Sequence, residues 1–173
     1  MTPPVENLTL RGLRTSDEAV FAAAHAQLAA EGYDFGHHYR PGMQWADYLR
    51  AVSDHAIGRN LPERFVPSTF LLAEVDGVVV GRTSIRHELN EFLNNFGGHI
   101  GYAVLPEHRR KGYATEILRQ SVGIANAMGI EKVLVTCDDN NLGSIKTIEN
   151  GGGVLDNVVA MPPNNTPRRR YWI

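Results

Sequence analysis

Val104-Leu105-Pro106-Glu107-His108-Arg109-Arg110-Lys111-Gly112-Tyr113-Ala114-Thr115 is the stretch whose reading decides the fold. The run before it, His99 to Leu105, reads as a strand that Pro106 stops. After it, Ala114, Ile117, Leu118, Ser121, Val122, Ala125 and Met128 mark one face of a helix, which Gly129 ends. A strand, a basic loop with one glycine and a helix thus follow one another directly. A helix N-terminus carries unpaired N–H groups and a partial positive charge. Cations are unfavourable there unless an anion joins them. Arg109, Arg110 and Lys111 therefore point to an anion site, and a diphosphate fits it. Gly112 lets the backbone approach a ligand closely, and Ala114 is small enough to do the same. A hydrogen bond to a charged oxygen contributes roughly 1.5–3 kcal/mol, so two or three amides make a workable anchor. A solvated basic loop is the plainer reading, but it leaves the electrostatic conflict standing. Walker A loops and dinucleotide fingerprints need more glycines at other spacings.

Working outward, Leu8 and Leu10 alternate with polar neighbours in a strand over 5–13. Thr15-Ser16-Asp17-Glu18 resembles a helix start, a hydroxyl cap with an acid three residues on, and Ala19 to Ala30 continues the helix to Gly32. Gly and Pro break periodicity over 33–44, and Trp45, Leu49 and Val52 mark a second short helix. Thr69 to Val75, Asp76-Gly77 and Val78 to His87 form a hairpin, and Gly97-Gly98 turns the chain into the strand at His99. Lys132 to Cys137 is a buried-type strand, and Asn141 to Asn150 a short helix closed by Gly151-Gly152-Gly153. Val154 to Met161 and Arg168 to Ile173 make a last hairpin across Pro162 to Asn165. This order predicts an α/β fold with a mixed, mostly antiparallel central sheet flanked by helices. A doubly wound sheet would alternate strand and helix throughout.

The chain has 173 residues, within the size of one domain, so 1–173 is expected to be a single unit. Seventeen Lys and Arg against nineteen Asp and Glu leave a net charge of −2, which gives no electrostatic footprint for nucleic acid or an anionic membrane. One cysteine, Cys137, excludes an internal disulfide framework and a multi-thiolate metal site. The start of the chain, Met1 to Asn7, has neither a basic nor an apolar leader region. No apolar run approaches the ~18 residues of a spanning helix. The expectation is a cytoplasmic protein without membrane, nucleic-acid or metal partners.

Arg109-x-x-Gly112-x-Ala114 resembles the R/Q-x-x-G-x-G/A signature of the GNAT acyltransferases. Gly101-Tyr102-Ala103-Val104-x-Pro106, Thr115-Glu116-x-Leu118 and Asn141-x-x-Ser144 are similar to the elements that flank it in that family. The likeness covers residues 69–153 well. Within the family, Gly98 to Tyr102 and Arg170 to Ile173 resemble a group of acetyltransferases with no settled substrate. The resemblance implies acetyl-CoA as co-substrate, lying between two splayed strands, 99–105 and 132–137. It places the pyrophosphate on amides around Arg110 to Thr115 and the pantetheine against the strand near Val104. Cofactor contacts are thus expected from Ala103, Val104, Arg109, Arg110, Lys111, Gly112, Tyr113, Ala114, Thr115, Asn141 and Ser144. A primary amine of a small molecule or peptide would attack the thioester directly, through a tetrahedral intermediate. Family members often dimerise, so a homodimer is an expectation of the same kind.

This chemistry asks for a base, an oxyanion donor such as the Val104 N–H, and an acid for the leaving thiolate. Deprotonating an amine of pKa ~10.4 at pH 7 costs about 4.6 kcal/mol, whereas protonating a thiolate of pKa ~8.5 gains only about 2 kcal/mol. The base therefore matters more. His99 is the candidate base: it starts the strand and shares a face with the small residues Gly101 and Ala103. His87 and Glu88 are its rivals, and a structural histidine bonded to backbone is the plain alternative. The usual acid, a Tyr seven residues after the Asn, is here Ile148. That departure keeps a second function class open, a non-catalytic acyl-CoA-binding sensor or regulatory module.

His37-His38 among Tyr33, Phe35 and Tyr39 suits either an acceptor pocket or an ordinary surface loop. Arg82, Ser84 and Arg86 share the parity of Val78 and Val80, so either a bulge changes the face or that end meets solvent or substrate. Paired arginines would suit an acidic acceptor; a plain polar sheet face is the alternative. Arg168-Arg169-Arg170-Tyr171-Trp172 invites a nucleic-acid reading. Its shortness and the negative net charge favour a terminal strand with Tyr171 or Trp172 packed inward.

Overall fold

The structure, a computed structural model, describes residues 5–173; Met1 to Pro4, part of the terminus read as leaderless, lie outside the described residues. The elements run β1 (Leu8–Arg11), α1 (Glu18–Ala29), α2 (Trp45–Ala56), β2 (Ser68–Val75), β3 (Val78–Arg86), β4 (Ile100–Val104), α3 (Tyr113–Ala127), β5 (Leu134–Asp138), α4 (Leu142–Asn150), β6 (Val154–Met161) and β7 (Thr166–Trp172). The strands form one sheet in the order β1-β2-β3-β4-β5-β7-β6. Every neighbouring pair is antiparallel except β4–β5. The α/β class read from the sequence is the one observed.

Each sheet face has its own core. On one face Phe21, Ala24 and Leu28 of α1 and Trp45 and Tyr48 of α2 pack on Phe70, Leu72 and Val79. The other face holds Leu118 and Ala125 of α3 and Ile145 and Ile148 of α4 against Ile85, Ile100, Val135 and Tyr171. Burial of a large apolar side chain stabilises by roughly 1.5–3 kcal/mol, so these two layers hold the helices in place. The start of α1 differs from the hydroxyl cap expected at Thr15. Residues 15–17 form a 3-10 turn, and the Asp17 carboxylate accepts the Arg14 N–H at 2.7 Å and two Arg11 bonds at 2.8 and 2.9 Å. A carboxylate in charge-assisted bonds outcompetes a hydroxyl for that place. Arg11 also reaches Glu74 at 2.6 Å, tying β1 and β2 to the helix entry.

Asp76 and Gly77 are both left-handed (φ 50° and 81°), as the tight hairpin requires. A few residues on, the register steps from Ala73↔Gly81 to Glu74↔Val79 and leaves Val80 unopposed. This bulge is the change of face the parity of Arg82 demanded. Val79 packs with α1 and α2, whereas Val80 packs with Ile117 of α3.

The segment between β3 and β4 holds a helical turn, Leu93–Gly97, with no counterpart in the sequence reading. Its sequence, rich in Asn and Gly, shows no apolar period. Its only signal is Asn90, whose Oδ1 accepts the Leu93 N–H at 2.9 Å. The C-terminal carbonyls of the turn are met by cations: Arg170 Nε donates to Asn94 O at 2.9 Å, Arg168 Nε to Phe96 O at 3.2 Å, and Arg86 Nη1 to Gly97 O at 3.2 Å. The terminal basic run is therefore structural. Tyr171 is fully buried, and its hydroxyl donates to Glu149 at 3.0 Å.

Strands β4 and β5 meet at one register pair, Ile100↔Val135. His99 N–H donates to Leu134 O at 2.7 Å, and Leu134 N–H donates back to His99 Nδ1 at 2.9 Å. Gly98 makes this contact feasible: its φ is +68°, and a Cβ there would stand 2.6 Å from Leu134 O. Beyond the pair, β4 continues only along β3 and β5 only along β7, so the sheet opens into a cleft.

Gly98→Ala should lower stability by about 3 kcal/mol or more, from backbone strain plus that clash. Gly123→Ala, on the exposed side of α3 with open space around it, should raise stability by about 0.5–1 kcal/mol. Denaturant midpoints at constant m-value read both.

Candidate active site

The cleft between β4 and β5 ends at the N-terminus of α3. Arg110 and Gly112 are left-handed (φ 59° and 81°), which curls the loop and turns successive N–H groups toward one concave side. The Arg109 N–H is already used by Pro106 O, at 3.3 Å. From Arg110 to Thr115 no backbone N–H donates to another described residue. Six consecutive free donors at a helix N-terminus fit the pyrophosphate of a coenzyme A moiety. Arg110 and Lys111 are exposed beside them and have no ion-pair partner among the described residues.

Arg109 sits differently from the phosphate contact expected of its side chain. Its guanidinium donates to both carboxylate oxygens of Glu31 at 3.2 and 2.6 Å, and its Nε donates to Val104 O at 3.2 Å. It fastens the loop to the end of α1 and to the last residue of β4. Directly after β4 the Leu105 N–H donates to Val80 O at 2.9 Å on the β3 side. Adjacent residues of a strand point their amides to opposite edges, so the Val104 N–H points into the cleft. Ala103 lies on the α1/α2 face, half-buried beside the core there.

Across the cleft, Asn141 caps α4: its Oδ1 accepts the Ser144 N–H at 3.1 Å. This leaves the Asn141 amide nitrogen and the Ser144 hydroxyl free to meet a ligand. Ile148, at the position of the usual Tyr, is fully buried between α3 and β5. The hydroxyl of Tyr102 is buried without a hydrogen-bond partner, with Ser144 and Thr147 of α4 beside it. Burial pushes its pKa up to about 12, so it stays protonated. Its place on an apolar strand hid it; alternation alone cannot tell a core tyrosine from one with a stranded hydroxyl.

The base expected at His99 meets a geometric obstacle. Its Nδ1 accepts from Leu134, so the neutral ring carries its proton on Nε2 and has no free lone pair for an ammonium proton. Burial and then Arg86 push its pKa down. His87 is engaged with Thr69 Oγ1 at 2.8 Å, and burial lowers its pKa as well.

The α1/α2 face of the cleft is basic. Arg82 is buried; it donates to Asp34 O at 2.9 Å and Gly101 O at 3.2 Å, and its Nε has no partner. Arg86 lies four residues further on along the same face, beyond Ser84. The loop over 33–44 closes over them: Phe35 enters the α1/α2 core, His25 Nδ1 accepts the Gly36 N–H at 3.2 Å, and Tyr33 and His38 stay exposed. His37, Tyr48, Ser68, Phe70 and Ser84 line a small cavity there. The His37 Nε2 is buried without a partner, and burial together with Arg82 holds the ring pKa down to about 3.

The chain matches the acetyltransferase (GNAT) domain family over residues 7–154. It is 36% identical over 166 residues to the uncharacterized N-acetyltransferase YjdG of Bacillus subtilis (strain 168), covering 93% of this chain and 92% of that protein. Its fold resembles spermidine N-acetyltransferase from Vibrio cholerae in complex with CoA and spermine (TM-score 0.67, 18% identity, 97% of this chain and 95% of that one). It also resembles RimL, a ribosomal L7/L12 alpha-N-protein acetyltransferase in complex with coenzyme A (TM-score 0.71, 14% identity, 99% and 96%). A strand pair that parts after one rung, and a helix whose first amides are all free, belong to a chain of this kind: the protein is a member of the GNAT acetyltransferase family.

Proposed function

We propose that the protein transfers the acetyl group of acetyl-CoA to a primary amine of a small molecule or peptide. The observation that carries this reading is the opening of the sheet after Ile100↔Val135 onto the free amides of Arg110 to Thr115. Gly112, Tyr113, Ala114 and Thr115 hold the pyrophosphate by backbone, with Arg110 and Lys111 adding charge. Ala103 and Val104 line the pantetheine arm from β4, and Asn141 and Ser144 face it from α4. Arg109 is assigned to holding the loop in place. Acetyl-CoA brings the activated thioester. The amine nitrogen bonds to the carbonyl carbon and the C–S bond breaks; of the two protons the ammonium nitrogen loses, one goes to solvent and the other to the leaving thiolate, giving CoA thiol. The Val104 N–H steadies the carbonyl oxygen as charge develops on it. His99 is assigned to positioning β4 on β5, not to proton abstraction.

The base need not be a side chain. Cations crowded around the α1/α2 face favour the neutral form of an incoming amine, which lowers the cost of deprotonation. The exposed Val154, Leu155 and Val158 on edge strand β6 support a homodimer through that edge. Cys137, a single buried thiol whose pKa burial pushes up to about 11, suits a cytoplasmic location.

Gly112→Glu places a negative charge and a side chain at a left-handed position in the anion site. It should weaken CoA binding at least 100-fold while the protein still melts cooperatively; unchanged calorimetric affinity would remove the cofactor from this loop. The pH profile tests the base. His37, held to about 3, stays neutral from pH 6 to 9, and His99, whose pKa is also pushed down, has its Nδ1 lone pair engaged by the Leu134 N–H. With saturating acetyl-CoA, log kcat/KM for the amine should therefore climb with a slope near one toward the amine's own pKa. An inflection near 6.5 in CoA release would restore a histidine base. Tight acetyl-CoA binding without release across a broad amine panel would favour the sensor.

A further inference from the structure

Among the described residues eight arginines, Arg11, Arg168 and Arg170 among them, have a carboxylate in ion-pair contact. Arg82 and Arg86 are more deeply placed than most of these, yet neither has a carboxylate partner among the described residues. Removing a cation from water without a counter-charge costs several kcal/mol. Backbone carbonyls meet part of this cost: Asp34 O and Gly101 O for Arg82, Gly97 O and Gly98 O for Arg86. They supply no charge, the Asp34 carboxylate acts on Arg82 only from a distance without an ion-pair contact, and Arg82 Nε is left with no acceptor at all. With its pKa brought down to about 10 by burial and then Arg86, Arg82 is still a cation at neutral pH.

The two guanidinium groups converge on one point. A Cβ on Gly101 would stand 3.5 Å from both terminal nitrogens of Arg86 and 3.7 Å from Nη1 of Arg82. Gly101 is the first β4 residue past the last rung to β5, so this point lies at the mouth of the cleft, on the face opposite α3 and α4. The bulge at Val80 is what turns Arg82, Ser84 and Arg86 to that face. With no side chain on Gly101, no atom of β4 beyond its backbone stands against the two guanidinium groups. Two planar guanidinium groups over such a space match a carboxylate better than any neutral group.

The geometry points to a carboxylate-binding subsite at Arg82 and Arg86, so the amine acceptor of this enzyme carries a carboxylate near its amino group. The inference rests on the acetyltransferase reading and narrows it. The anion completes the missing counter-charge of the pair and holds the amine beside Ala103 and Val104. A polyamine brings only more positive charge to the same place and is rejected by it.

The test uses the full chain with acetyl-CoA. α- and ω-amino acids of two to six carbons and short acidic peptides are each compared with the matching carboxamide, with spermidine included. CoA binding is measured separately by calorimetry. The expected result is a kcat/KM at least 10-fold higher for one or more carboxylates than for their carboxamides. Arg86→Gln should erase that preference through acceptor KM, with CoA affinity within about 2-fold of the parent, and Arg86→Lys should restore part of it. Retained CoA affinity shows that each variant is folded. Equal or faster turnover of the carboxamides, or spermidine as the best acceptor, overturns the subsite and leaves the acetyltransferase standing. CoA binding with no turnover of any carboxylate-bearing acceptor also overturns it. Failure to bind CoA removes the acetyltransferase reading itself.

Discussion

The rung between Ile100 and Val135 is the contact on which the rest of the molecule depends. Two half-sheets, β1 to β4 and β5 to β7, are joined by that parallel pair and by the exchange between His99 and Leu134. A continuous ladder would seal the cleft, and no ladder would let the halves drift. Gly98 permits the close contact, and His99 supplies an acceptor that a regular strand would have taken from its backbone. The cleft is thus a consequence of where pairing stops.

A second layer of control is electrostatic. The helical turn at Leu93–Gly97 exposes carbonyls at the junction of the half-sheets, and arginines from β3 and β7 satisfy them. Arg168 and Arg170 also hold carboxylates, so their charge is spent locally. Arg82 and Arg86 keep theirs. The chain is close to neutral overall, yet its positive charge gathers around one opening, at the phosphate loop on one side and at the arginine pair on the other. Total charge hides such a distribution because it sums over the surface.

Much of the fold was legible because local rules and tertiary structure agree. Asp76-Gly77 adopts the left-handed pair its residues favour, α3 carries its apolar face at the helical period, and α4 runs within the short helix read over Asn141 to Asn150. The loop at Arg109 to Ala114 was legible for the same reason, since a glycine, cations and a helix start are adjacent in sequence. The misreadings lie where long-range partners decide. Thr15 yields to Asp17 because Arg11, on another element, adds charge to the cap. The turn over 93–97 has no period of its own and is held by Arg86 of β3 and by two arginines of β7 some seventy residues away.

The sequence by itself determined the order of elements, the basic, glycine-bearing loop that opens α3, and the family, because each is written in neighbours a few residues apart. It left open whether a bulge turns Arg82 to the other face and whether the His99 ring keeps a free Nδ1 lone pair. Only the tertiary structure decided these. A bulge is a mismatch between two strands, and a histidine's lone pair is free or engaged according to what the fold brings within 3 Å of it, which no local pattern contains.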